Sequence, residues 1–170
     1  MKSYTHQYQD LWVVEKTNGM RGGTFVEIGS NDPVIDNNTY MLEKDYGWTG
    51  IGMDKSSAWA ENWKSYRGSP LVIMDATMAN WMRLLKGLSE EVGVIDYLSL
   101  DVDHAQLEVV RNFPWARIRF QLLTVEHDSY RFGNEVRDEI RNILKNNGYR
   151  IDREDVMCSG GPFEDWWVAA

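Results

Sequence analysis

The stretch Gly23–Asp32, GTFVEIGSND, carries an apolar run (Phe25, Val26, Ile28) past Glu27 into Gly29 and a short polar loop, and a helical pattern follows. A strand that ends this way presents bare backbone and a carboxylate at its tip. In open α/β sheets the crevice beyond the carboxyl ends of the strands is where ligands bind, and glycine there lets a ligand approach the main chain. The pattern predicts the first strand of a parallel sheet with a cofactor crevice at its end.

Outward from that strand, strand-like and helix-like runs alternate, which is the signature of a parallel sheet. A helix over Tyr8–Lys16 precedes the strand Thr24–Ile28, and Asn37–Tyr46 reads as a helix that Asn38 or Thr39 can cap. The strand Thr49–Met53, a helix over Ser57–Tyr66, the strand Leu71–Met74, a helix over Met78–Leu88 and the strand Val94–Leu100 follow. A helix over Ala105–Asn112 leads to the strand Ile118–Val125, and Glu135–Asn146 is a helix stopped by Asn147 and Gly148. Tyr149–Asp155 and Phe163–Val168 are separated only by the turn-prone stretch from Cys158 to Pro162, which predicts an antiparallel hairpin at one edge.

The chain has 170 residues, about one domain's worth, so a single domain over residues 1–170 is expected. An aromatic share of 12% argues against disorder. A formal net charge of −8 disfavours nucleic acid and anionic membranes, whose binding needs a basic footprint, and favours a small molecule or a cationic ligand. Cys158 is the only cysteine, so no intrachain disulfide forms and a reducing compartment fits. The first ten residues, MKSYTHQYQD, lack the apolar core of a signal peptide, and no stretch approaches the roughly 18 apolar residues of a membrane span. A cytoplasmic, soluble protein is expected.

Acids recur at the strand ends: Glu27, Asp54, Asp75, Asp101 and Glu126. Asp54 follows Gly29 by about 25 residues, close to the roughly 20-residue offset at which an acid receives the hydroxyls of a ribose. The phosphate-binding part of a dinucleotide site is missing, because GSNDPV lacks the G-x-G-x-x-G pattern and Asp32 near the helix start would repel a pyrophosphate. A cofactor with a ribose and no phosphates is implied. S-adenosylmethionine meets this description: its sulfonium and amino groups are cationic and attracted by Glu27, Asp32 and Asp101, while Asp75 can accept from the adenine amino group.

FVEIGSND, NNTYMLEKDYGWTGIGMD, DYLSLDVD, LLTVEHDSY and PFEDWWV, in that order, resemble successive signatures of the FkbM-type branch of S-adenosylmethionine-dependent methyltransferases, from about Thr24 to the end. The resemblance implies an α/β, Rossmann-like class I methyltransferase fold. It has a mostly parallel seven-stranded sheet with an antiparallel last strand and helices on both faces. It also implies methyl transfer, usually to an oxygen of a sugar, polyketide or similar small metabolite. Carried over by position, Glu27, Gly29, Ser30 and Asn31 match the cofactor loop, Asp54 the ribose acid, Asp75 with Ala76 the adenine contact, and Asp101 the acid after the fourth strand. Pro33 stands where many relatives have glycine, and Asp103 and His104 replace a common Glu-Gly pair.

Because the sulfonium is already activated, the protein has to align a hydroxylated acceptor and remove its proton. That takes a base titrating near neutrality or a metal. His127 beside Asp101 is one candidate base, with His104 and the acids Asp101, Asp103, Glu126 and Asp128 nearby in sequence. Alternatively Asp101 and Glu126, with His127, would hold a divalent cation such as Mg or Ca. Trp59, Trp63, Trp166 and Trp167 read as packing residues, and Glu164 and Asp165 as a solvated turn that could form a lip. A nucleotide-sugar or NAD enzyme would need phosphate-binding glycines or basic residues in the first loop. A catalytically inactive binding module that keeps the fold is the alternative reading. The chain has little room for a lid, so the N-terminal helix, the loop after Tyr130, or a partner subunit, as in a homodimer, would supply substrate contacts.

Overall fold

A computed structural model describes residues 2–88 and 93–170. In it β1 (Thr24–Ile28) is the centre from which the sheet grows in both directions. It pairs in parallel with β2 (Thr49–Asp54) on one side and with β4 (Val94–Leu100) on the other. β3 (Leu71–Ile73) adds to β2, and β5 (Arg119–Glu126) to β4, again in parallel. β7 (Gly161–Ala169) runs antiparallel between β5 and β6 (Tyr149–Cys158), giving the order β3-β2-β1-β4-β5-β7-β6. The order reverses between β1 and β4, where such sheets open a crevice.

Alternation along the strands supplies two cores. Val26, Ile28, Leu98, Leu100, Leu123, Val125 and Trp167 face α4 (Trp81–Leu84), α5 (Gln106–Asn112) and α7 (Asn134–Asn146), which contribute Trp81, Val109, Val110, Ile140 and Leu144. Phe25, Tyr97, Leu122 and Trp166 face the other way. There they meet Trp12 and Val13 of α1 (Gln9–Lys16), Leu42 of α2 (Tyr40–Tyr46) and Trp48. The Trp12 and Trp166 rings lie 5.0 Å apart. Trp63, Trp166 and Trp167 are buried, as their size and spacing suggest, whereas Trp59 is only half-buried. Trp63, on α3 (Ala60–Tyr66), can pack on β2 because Gly52 has no side chain; a Cβ there would meet the indole at 2.5 Å.

Three local expectations need correction. The helix expected over Met78–Leu88 is interrupted. Asp75 caps a single 3-10 turn, Ala76–Met78, through Thr77, and Asn80 then starts a new helix by accepting from the Arg83 amide at 3.1 Å. Two successive caps restart the chain where one helix was expected. Secondly, α2 begins only at Tyr40, because Asn37, Asn38 and Thr39 turn their side chains to buried partners instead of capping. Thirdly, a short helix, α6 (Ser129–Phe132), occupies the connection after β5 that carried no helical pattern.

The buried guanidinium of Arg67 ties these parts together. It donates through Nε to Glu43 at 3.0 Å, through Nη1 to Asn37 Oδ1 at 2.8 Å and the Pro33 carbonyl at 3.3 Å, and through Nη2 to Thr39 at 2.8 Å. Glu27 lies 3.8 Å away and the Trp63 ring 4.4 Å away. The planar fork thus joins β1, the loop after it, α2 and α3, which a lysine's point charge could not do. Removing one member of such a buried set leaves charges unpaired, at about 3–5 kcal/mol. Arg67→Leu is expected to lower stability by about that amount in urea denaturation, with Arg67→Lys between it and the wild type. A loss for Arg67→Leu within the roughly 0.5 kcal/mol of an ordinary surface change would refute this role.

Candidate active site

Gly29 follows β1 with φ +84°, and a Cβ on it would lie 1.5 Å from the Asp101 carbonyl oxygen. Only glycine lets the ends of β1 and β4 approach this closely. The Asp101 amide donates to the Ile28 carbonyl at 2.9 Å, and the Gly29 amide to Met53 at 2.8 Å. Beyond these ends lies a cleft of about 330 Å³, lined by Gly29, Asn31, Asp54, Asp75, Ala76 and Asp101 among the residues expected from sequence. Asp36, Lys55, Met74 and Asp103 also line it. Among the described residues its carboxylates far outnumber its one basic residue, Lys55.

Two of the acids of this cleft are held by the loops that follow them. Asp54 accepts from the Asn31 amide at 2.9 Å and from the Ser56 amide at 2.8 Å. Asp75 uses Oδ1 on Thr77, which holds its carboxyl below the usual range, first through the Thr77 hydroxyl and then through its amide.

Glu27, Ser30 and His127 stand elsewhere. Glu27 is 3% exposed and does not line the cleft; Asn37, Asn38 and Thr39 donate to its two oxygens at 3.0, 2.9 and 2.9 Å. Burial raises its carboxyl, and Arg67 works against that rise. Ser30 is buried and bridges β1 and β2, donating to the Glu27 or Met53 carbonyl and accepting from the Met53 amide. Asp32, likewise, accepts from the amides of Val34 and Ile35 instead of facing the cleft. Glu27 and Ser30 therefore shape the first loop from behind.

His127 follows Glu126 by one residue, so the pleat sends the two side chains to opposite faces. The imidazole is fully buried: Nδ1 accepts from the Ser129 amide at 3.2 Å, and Nε2 lies 3.6 Å from Asp165 and 3.8 Å from Asp155. Arg141 donates to both of these acids, and burial of Asp165 is outweighed by Arg141 and then His127, which hold its carboxyl at about 2. This network fastens β5 to the β6–β7 hairpin, away from the cleft. Glu164 and Asp165, expected in a solvated turn, are both buried. His104 is exposed, with its ring 4.4 Å from Phe132.

Strand register brings other acids together. Leu100 pairs with Val125, so Asp101 and Glu126 follow side by side, and Glu126 pairs with Glu164 across β7. A second pocket of about 190 Å³ opens here, sharing Asp36 and Asp101 with the first and lined further by Gln9, Glu126, Asp128 and Tyr130. Asp101 keeps an open side toward the cleft, yet protein crowding raises its carboxyl, with Asp103, Asp128 and Asp36 adding to the rise and Glu126 opposing it. Burial and then Asp101 push Glu126 up to about 11. The pair therefore holds a proton at neutral pH. Glu164, buried and accepting from Gln9 and Trp166, is pushed up to about 8 by that burial, with Asp101 adding to the rise.

The divalent-cation set Asp101, Glu126 and His127 is not assembled, because His127 points to the other face. Asp103, Glu126 and Asp128 can bring oxygens within 4.8 Å of one another, but Arg131 already sets Nη1 3.7 Å from Asp103 and 3.3 Å from Asp128. Sequence reasoning passed over Asp36, Lys55 and Gln9 as site residues. Asp36 is drawn in by a left-handed φ of 54° and paired with His6 at 2.7 Å, geometry that no local motif encodes.

A central parallel sheet in this order, an antiparallel β7, and an acid-lined cleft across the switch point define the Rossmann-like methyltransferase fold. The model of the methyltransferase FkbM domain matches residues 53–151, more than half of the chain. The chain belongs to the FkbM methyltransferase family. No curated relative matches it. Among solved structures it resembles the N-methyltransferase NodS from Bradyrhizobium japonicum, with a TM-score of 0.61 at 12% identity over 96% of this chain and 93% of that one. An rRNA methylase from Streptococcus thermophilus gives 0.56 at 12% identity over 99% and 98%. Aeropyrum pernix fibrillarin, in complex with S-adenosyl-L-methionine, gives 0.54 at 14% identity over 89% and 67%. Likeness at this identity shows the shared fold.

The raised carboxyl of Glu164 has a measurable consequence. A carboxyl that keeps its proton in the folded chain but loses it near 4.5 when unfolded makes stability fall as pH rises from about 4.5 to about 8. The slope from this group reaches ~1.4 kcal/mol per pH unit. Gln at this position can still accept from Gln9 and Trp166 and has no proton to lose. Urea midpoints for Glu164→Gln are expected to equal or exceed wild type at pH 8 and to decline less between pH 5 and pH 8; identical slopes would contradict the assignment.

Proposed function

We propose that this protein transfers a methyl group from S-adenosylmethionine to an oxygen of a small hydroxylated acceptor such as a sugar. The observation that carries the reading is the joined pair of pockets: an acid-lined cofactor cleft that meets a second pocket at Asp36 and Asp101. The residues fit the cofactor. Asp54 suits ribose hydroxyls, Asp75 with Ala76 suits an adenine, and the surplus of carboxylates suits a sulfonium and an amino group while repelling a pyrophosphate. When bound, the cofactor supplies an activated methyl group. Family membership and the fold support methyl transfer; the charge of −8 supports a small acceptor over nucleic acid.

The chain's own contribution is to orient the acceptor and accept its proton. Asp101 stands where the two pockets meet, with Glu126 beside it in the second, and a carboxylate whose proton affinity is raised is a better base toward a hydroxyl than an ordinary one. Asp101, the unprotonated member of the pair, would take the hydroxyl proton while Glu126 keeps its own; the bound cofactor would supply the methyl group to the acceptor oxygen and keep the electron pair of its S–C bond as a neutral thioether.

Calorimetric titration should show Asp54→Ala binding S-adenosylmethionine about 10–100-fold more weakly, the worth of hydrogen bonds to a charged group. With an acceptor found by screening sugars and other hydroxylated metabolites with methyl-labelled cofactor, Asp101→Asn should lower kcat by about 10²–10⁴, and by more than Glu126→Gln, which copies the protonated partner. Binding of NAD in place of S-adenosylmethionine would overturn the reading. Cofactor binding without transfer to any acceptor would favour an inactive binding module.

A further inference from the structure

We infer that the acceptor carries an ammonium group beside its hydroxyl, as an amino alcohol or amino sugar does, and that the ammonium seats in the second pocket against Gln9, Glu126 and Asp128. This rests on the methyl-transfer reading and names the kind of acceptor that site takes.

An orphaned atom points to it. Gln9 lines the pocket, only 5% exposed, and among the described residues its Oε1 has no hydrogen-bond partner. Gln9 spends its amide nitrogen on Glu164 at 2.8 Å, which leaves its oxygen to receive. An amide oxygen can only accept. A buried acceptor left unmet is costly, so the pocket is built for a donor. A neutral sugar brings hydroxyls that accept as well as donate, whereas an ammonium brings three donors and no acceptor.

Charge points the same way. Asp36, Asp101, Asp103, Glu126 and Asp128 surround the junction of the pockets. Against them stand Arg131, beside Asp128 and Asp103, and His6, beside Asp36. Even with a proton shared by Asp101 and Glu126 and with His6 charged, negative charge is left over. S-adenosylmethionine, with a net single positive charge, offsets part of it, while Asp54 and Asp75 add more than Lys55 removes. The remainder calls for a cation on the acceptor. Tyr130 and Phe163 also line the pocket, and aromatic faces favour cations.

The test measures binding to the full chain saturated with S-adenosylhomocysteine, at pH 7 and with EDTA present. Two sets of probes are compared: ethanolamine, N-acetylethanolamine and ethylene glycol; and glucosamine, N-acetylglucosamine and glucose. In at least one set the amine should bind about tenfold or more tightly than both neutral counterparts. Asp128→Asn should remove most of that preference while S-adenosylhomocysteine affinity stays the same, since Asp128 lies outside the cofactor cleft and asparagine tolerates its φ of 47°. Equal binding of amines and neutral probes, or an amine preference seen only when a divalent metal replaces EDTA, would overturn the inference and leave methyl transfer standing. Failure to bind S-adenosylhomocysteine at all would instead bring down the reading on which it rests.

Discussion

The buried cation of Arg67 is the constraint on which the cleft side of the molecule depends. Glu27 and Glu43 are out of water, and a guanidinium with five donors on a rigid plane satisfies them together with Asn37, Thr39 and the Pro33 carbonyl. Its face lies on Trp63, so the charge is also packed. The loop after β1 is held from beneath by this set and from its near side by Ser30. Its outer surface, at Gly29 and Asn31, is therefore free to be a binding wall. An acid inside the first strand thus does its work by fixing the loop that lines the cleft.

That division explains what could be read in the sequence. The alternation of strands and helices, the hairpin and the acids at the strand ends are local patterns, and they lead to the observed sheet. The cleft positions of Gly29, Asn31, Asp54, Asp75, Ala76 and Asp101 follow from the same rule, since strand tips in such sheets gather at one edge. What a linear pattern does not carry is the direction of a side chain among competing partners. Glu27 and Ser30 belong to the right loop but point into the protein. His127 is one residue from Glu126 and, by the pleat, on the wrong face. Arg67, near the end of α3, carries no motif at all. It matters because folding brings it beneath residues far away in sequence.

Register supplies the remaining step from fold to chemistry. Once β4 pairs with β5 at Leu100 and Val125, Asp101 must neighbour Glu126, and the β5–β7 pairing sets Glu164 beside Glu126. Three carboxyls on adjacent strands cannot all ionise cheaply, because each negative charge raises the cost of the next and burial raises the cost of all. The row therefore retains protons that free carboxyls would have lost. Such an edge works against stability at neutral pH. As a structural device the row is poor; it leaves carboxyls of raised proton affinity beside an acid-lined cleft. The cost is confined to one edge because the other acid of β7, Asp165, lies on the opposite face, where Arg141 pairs it. Alternation along β7 thus separates a carboxyl that fastens the sheet from one that completes the acidic row.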